Sequence, residues 1–226
     1  MAAIRRLAAI LAADVVGYSR LVGMDEEGTL AALKELRRNV VDPKINDHHG
    51  RIFKTTGDGL LVEFASVGDA VRCAVEMQRG VAERTSNAQP DRRIEFRIGI
   101  NVGDIIIEDG EVFGDGVNIA ARLEALAEPG AICVSRVVHD QVRDKLDIAF
   151  EDRGEQQLKN IARPLHVYQI PIAAAAAARA PLPLPDKPSI AILPFANLSG
   201  DPEQEYLPTA WSRRSSRRSA ASAGSS

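Results

Sequence analysis

Residues 7–16 form a short, almost unbroken apolar run, Leu7-Ala-Ala-Ile-Leu-Ala-Ala13, broken only by Asp14 before Val15-Val16. A run of this kind, without the in-out alternation of a half-exposed strand, reads as a central strand covered on both faces. The chain must therefore supply a layer on each side of it. Arg5 and Arg6 give the run the look of a minimal secretory leader, but it ends at Asp14, at the short limit for one. No apolar stretch approaches the ~18 residues that cross a bilayer, so no membrane anchor is expected in this chain.

From Arg6 to about Ile170 strand-like and helix-like segments alternate, the pattern of one α/β or α+β domain. Residues 26–41 read as a helix with Leu30, Leu33, Leu36, Val40 and Val41 on one stripe, closed by Asp42-Pro43. Residues 51–56 and 60–64 read as strands joined by Gly57-Asp58-Gly59, a hairpin signal. Ser66 opens a second helix, residues 94–107 are strand-rich, 117–127 read as a helix and 131–134 as a strand. A helix over 135–145 and extended segments at 147–152 and 165–170 complete the domain.

Charge and cysteine usage narrow the function classes. Lys and Arg number 28 against 31 Asp and Glu, a net charge of −3, and four of the arginines fall within 213–218. The body is thus acidic, with no field to hold a nucleic-acid backbone. Aromatic residues make up only 4%, which argues against a base-stacking RNA module. Cys73 and Cys133 lie in apolar runs without metal or disulfide spacing, as expected of buried thiols in a cytoplasmic protein.

Several polar residues follow apolar strands closely enough to carry chemistry. Asp14 ends the first run and Asp58 tips the hairpin; on neighbouring strands two such carboxylates can share hard cations, while each alone is also plain strand-end or turn chemistry. Lys54 alternates with Phe53 and Thr55, facing either a cleft or water. Asn118 and Arg122, four apart, share one helix side and suit a phosphate or simply solvent. His48-His49 has no further ligand at metal spacing, and no Walker loop, G-x-G-x-x-G run or G-x-S-x-G elbow occurs.

Four segments together, Leu11-Ala-Ala-Asp-Val-Val-Gly-Tyr-Ser19, Phe53-Lys-Thr-Thr-Gly-Asp-Gly59, Ile98-Gly-Ile-Asn-Val-Gly-Asp104 and Phe113-Gly-Asp-Gly-Val-Asn-Ile-Ala-Ala-Arg122, resemble the class III nucleotidyl cyclase catalytic domain. The resemblance spans residues 5–171 and implies an α+β, ferredoxin-like sandwich that works as a homodimer with shared active sites. It implies that Asp14 and Asp58 of one subunit hold two Mg²⁺ or Mn²⁺ ions. Lys54 and Glu111 of the other subunit would read the base, Asn118 and Arg122 would position ribose and stabilise α-phosphate charge, and Lys159 would bind triphosphate. Because Lys54 can donate to adenine N1, whereas guanine N1 carries a hydrogen, ATP is the expected substrate and cyclic AMP the expected product. A guanylate cyclase and a catalytically silent nucleotide-sensing or partner-binding domain are the competing readings. One departure is Asp104, where some members of the family carry a phosphate-contacting arginine.

Beyond the domain, residues 172–188 read as an Ala/Pro-rich linker. Residues 189–206 resemble the start of the TolB-like segment that, in many bacterial cyclases of this type, precedes tetratricopeptide repeats. The resemblance stops at Tyr206, and 207–226 reads as a disordered Arg/Ser tail produced by a shifted reading frame, natural or introduced in sequencing.

Overall fold

The computed structural model describes residues 4–108, 111–159, 161 and 163–172; the expected linker, TolB-like stretch and tail fall outside the described residues from 173 onward. Strand β1 (Ile4–Val15) leads through helices α1 (Tyr18–Met24), α2 (Glu26–Leu36) and α3 (Asp42–Asp47) to a hairpin of β2 (Arg51–Thr56) and β3 (Gly59–Phe64). Helix α4 (Val67–Thr85) returns the chain to β4 (Phe96–Glu108), and β5 (Glu111–Phe113) folds back on its end. Helix α5 (Asp115–Leu126), β6 (Ile132–Ser135), α6 (Arg136–Val142), β7 (Glu151–Gln156) and β8 (Leu165–Ile170) follow.

The strands form one mixed sheet in the order β2-β3-β1-β4-β6-β8-β7, with β5 beside β4. Its first four strands and the helices between them make a ferredoxin-like β-α-β-β-α-β unit, in which β1 is antiparallel to both β3 and β4. The apolar run is thus a central strand, as its composition demands. Its odd residues Ala9, Leu11, Ala13 and Val15 join α2, α3, α4 and α6 in one core. Its even residues Ala8, Ile10 and Ala12 pack instead against α5 and β5 through Ala120 and Val112. Fully burying a side chain such as Leu11 contributes about 1.5–3 kcal/mol.

Local sequence explains the helix starts. Asp25 accepts a hydrogen bond from the Gly28 amide at 2.9 Å at the head of α2, and Ser66 from the Asp69 amide at 3.3 Å at the head of α4. The helix expected to close at Asp42-Pro43 does not. It widens into a π-turn over Arg37–Val41 and continues as α3 to Asp47. Pro43 sits in the first turn of α3, directly after the π-turn, and the wider turn keeps both Val40 and Val41 inward.

Candidate functional site

The sheet brings the two predicted carboxylates together. β1 and β3 pair with Ala13 opposite Leu60, so Asp14 at the end of β1 lies beside the β2–β3 turn that carries Asp58. Gly57 takes φ +61° as the first central residue of that two-residue turn, as a type II′ hairpin requires. A Cβ on Gly59 would stand 2.7 Å from Thr56 Oγ1 and 3.5 Å from Asp14 Oδ1, so a side chain there would crowd the approach. Burial raises the Asp58 pKa, and hydrogen-bonding contact with the Asp14 carboxyl raises it further; the charge of Arg97 works in the opposite direction.

Two further charged residues complete this corner, and neither stands out in the sequence. Arg97 pairs across β1–β4 with Asp14 and donates from Nη2 to Asp14 Oδ2 at 3.0 Å. The same nitrogen lies 3.1 Å from Glu124 Oε1, whose side chain is 13% exposed. Burial pushes Glu124 up to about 7; Arg97 opposes the shift, and the charges of Asp14 and Asp58 add to it. Two carboxylates therefore contact one guanidinium, and the charge of a third, Asp58, is felt by it as well. The available sequence signal was parity: Arg97 alternates with the buried Phe96 and Ile98, so it must share the face of Asp14.

That face is closed by α5, which lies directly on the backbone of β4. A Cβ on Gly99 would come within 2.2 Å of both Ala120 O and Glu124 N, and one on Gly103 within 2.9 Å of Gly116 Cα. Between these glycines the buried Asn101 donates to Gly116 O at 3.3 Å. The seating fixes Glu124 over Arg97. It also settles where Asn118 and Arg122 go: they occupy the side of α5 opposite buried Gly116, Ala120 and Leu123, facing away from the sheet that holds the aspartates.

Lys54 departs from the simple alternation expected of it. Ile52 pairs with Val62 and Lys54 with Leu61, so Phe53 is an extra residue in a β-bulge. Phe53 and Leu61 both pack toward Ala12 and Val112, and the bulge therefore keeps the exposed Lys54 on the α5 and β5 side rather than the opposite one. Glu111 opens β5 opposite Glu108, and its side chain lies outside what the structure describes. Lys159 is exposed in the turn after β7. Asp104, at the far end of β4 from Arg97, lines a groove of about 450 Å³ with Arg5, Asn101 and Gly114. Of the sequence-derived residues the structure thus brings Asp14 and Asp58 into contact, whereas Asn118 and Arg122 are turned outward and Lys54 and Lys159 are exposed on other elements.

The donor chemistry at Asp14 and Asp58 fits a hard divalent cation. Both offer carboxylate oxygens, and burial with like charge makes a cation favourable beside them. Among the described residues no group of three or more His, Cys, Asp and Glu forms a metal cage. Mg²⁺ bound by one or two carboxylates takes its remaining oxygens from water and phosphate, so none is required. His48 instead faces Glu76 at 3.3 Å, and Cys73 and Cys133 are buried free thiols. No helix among the described residues is long and apolar enough to cross a membrane.

Comparison with known proteins gives the same domain. Residues 5–171 match the family model of the adenylate and guanylate cyclase catalytic domain. A putative adenylate cyclase of Rhizobium meliloti is 50% identical over 209 residues, which is 90% of this chain and 36% of that protein. The chain thus spans about a third of that relative's length, and the alignment runs past the domain. A solved adenylate/guanylate cyclase/hydrolase from Silicibacter pomeroyi superposes with a TM-score of 0.71 at 51% identity, covering 75% of this chain and 98% of that one. The adenylyl cyclase CyaB of P. aeruginosa superposes with a TM-score of 0.66 at 25% identity, covering 75% and 96%. Family match, sequence identity and fold agree, and the chain belongs to the adenylate and guanylate cyclase catalytic domain family.

Proposed function

We propose that the domain is an adenylate cyclase, converting ATP into 3′,5′-cyclic AMP and pyrophosphate. The observation that carries this reading is the convergence of Asp14 and Asp58 at one sheet corner. Divalent ions held there would lower the pKa of the ribose 3′-hydroxyl and neutralise the triphosphate. In the reaction the 3′-hydroxyl gives up its proton to water and its oxygen bonds to the α-phosphorus, while the bond from that phosphorus to the bridging oxygen of the β-phosphate breaks and pyrophosphate leaves. The enzyme's share is alignment and charge stabilisation.

The outward direction of Asn118 and Arg122 supports a homodimer. Residues on the solvent side of α5 cannot serve the aspartates beneath the same helix, but can serve those of a second copy. Arg122 would then stabilise charge on the α-phosphate and Asn118 would orient the ribose, with Lys159 on the outer phosphates. Lys54 and Glu111 of that copy would meet the adenine edge, Lys54 donating to N1 and Glu111 accepting from the amino group. A guanine presents an N–H at N1, and leaving one donor facing another costs about 1–3 kcal/mol.

The test is cyclic nucleotide formation by the purified chain with ATP or GTP and Mn²⁺ or Mg²⁺, with Asp58→Asn as control. Cyclic AMP that disappears in Asp58→Asn supports the proposal. Preferential turnover of GTP would make the protein a guanylate cyclase, and no product from a folded dimer would make it a nucleotide-sensing domain. Specific activity that rises with protein concentration is expected of a site completed by a second copy.

A further inference from the structure

We infer that Arg97 is a transferable counter-ion, held by Asp14 in the metal-free site and passed to Glu124 when a divalent cation takes Asp14. The inference rests on the reading that Asp14 and Asp58 bind such a cation. It makes Arg97 and Glu124 positioning residues, acting on the metal site through Asp14.

The geometry is that of an unfinished pair. Nη2 of Arg97 is 3.0 Å from Asp14 Oδ2, with its hydrogen directed at that oxygen, and 3.1 Å from Glu124 Oε1. Yet Glu124 Oε1 is buried without a hydrogen bond, and so is Arg97 Nε. Glu124 Oε1 is thus a buried acceptor within ion-pair range of Arg97 but without a hydrogen bond, and Arg97 Nε a buried donor without one, while Nη2 serves Asp14. A guanidinium released from Asp14 would find a partner already in place, able to take it as a two-bond fork. Both ends of the transfer are fixed by backbone: Arg97 by its register opposite Asp14, and Glu124 by the contact of its turn with Gly99.

Transfer explains why an arginine can stand at a cation site without blocking it. With Arg97 on Asp14, the paired aspartates are partly neutralised and the empty corner tolerates their proximity. A divalent ion arriving at Asp14 must displace that arginine, and displacement is easier when a second carboxylate receives it. Removing Arg97 removes a competitor, whereas removing Glu124 removes the acceptor and leaves Arg97 on Asp14.

The experiment is Mn²⁺ titration of the full chain without nucleotide, read by the electron paramagnetic resonance signal of free Mn²⁺, with circular dichroism as the check on folding. Arg97→Met is expected to tighten binding, and Glu124→Gln to weaken it, each about three- to tenfold. Glu124→Asp separates transfer from a general field effect, because it keeps the charge but retreats from Arg97. Weakening by Asp as by Gln supports transfer; wild-type affinity in Glu124→Asp overturns it. Weaker binding in Arg97→Met also overturns it, since Arg97 would then only buttress Asp14, and if that variant does not fold the two Glu124 variants decide. Asp14→Asn tests the underlying reading separately: unchanged Mn²⁺ affinity there would refute the metal site itself.

Discussion

Replacing Gly99 by alanine adds a single methyl group where the structure leaves no room for one. The new Cβ would stand 2.2 Å from Ala120 O and Glu124 N and 2.8 Å from Leu123 C, all backbone atoms of α5. No rotamer change relieves such a contact, so α5 must retreat by about 1 Å or more to restore van der Waals separation. Overpacking of this kind costs about 1–3 kcal/mol. The same retreat stretches the 3.3 Å bond from Asn101 to Gly116 and loosens Leu123, which is fully buried. We expect a total loss of about 2–4 kcal/mol by urea unfolding with an unchanged m-value. Gly23→Ala is the matched control: its Cβ meets nothing within 4 Å in helix α1, so it should be neutral or stabilise by up to about 1 kcal/mol. The movement also carries Glu124 away from Arg97, and Mn²⁺ affinity should fall with stability. If Gly99→Ala unfolds within 0.5 kcal/mol of wild type, the argument that glycines seat α5 on β4 is wrong.

Three other outcomes follow from single residues. Glu63 is buried and accepts from Arg6 at 2.5 Å and Arg51 at 2.7 Å; burial alone would raise its pKa, but the two guanidinium groups outweigh it and hold the carboxyl below its usual value. A depressed folded-state pKa stabilises above the unfolded value near 4.5 and is lost as pH falls through the folded one. Glu63→Gln should therefore cost about 1–3 kcal/mol at pH 7 and progressively less as pH falls below ~4, measured by thermal melts across pH. Burial pushes the Cys73 thiol up to about 12 and the Cys133 thiol up to about 11, so neither should react with a thiol-specific disulfide reagent at pH 8 until urea unfolds the chain. Lys54→Glu should lower the ratio of kcat/KM for ATP over GTP by about 10–100-fold, since a carboxylate accepts from guanine N1 and repels adenine N1; an unchanged ratio would refute base reading by Lys54.

What the sequence disclosed, and what it withheld, follows from the range of the interactions involved. The unbroken run at 7–16 had one physical solution, a strand buried on both sides, and β1 is that strand. The turn at Gly57-Asp58-Gly59 was equally legible, because a two-residue hairpin leaves a local signature that no distant packing alters. The end of the helix read over residues 26–41 was not legible, since a proline signal competes with a π-turn whose stability comes from the burial of Val40 and Val41. Nor was the face of Lys54, because one extra residue in the β2–β3 ladder reverses alternation without any mark in composition.

Arg97 and Glu124 escaped for a deeper reason. Each is unremarkable where it stands in the chain, a charged residue in a strand and another in a helix. Their importance arises only when three separations are closed at once: β1 against β4, α5 against β4, and the hairpin against the end of β1. The glycines at 99 and 103 were the visible trace of that closure. A strand that gives up side chains at alternate positions is making room for another backbone, and the charged residue preceding them on the same face must then meet whatever that backbone carries. On this face that is Glu124, one helical turn beyond Ala120, so the absence of side chains at 99 and 103 fixes the position of the carboxylate that faces Arg97.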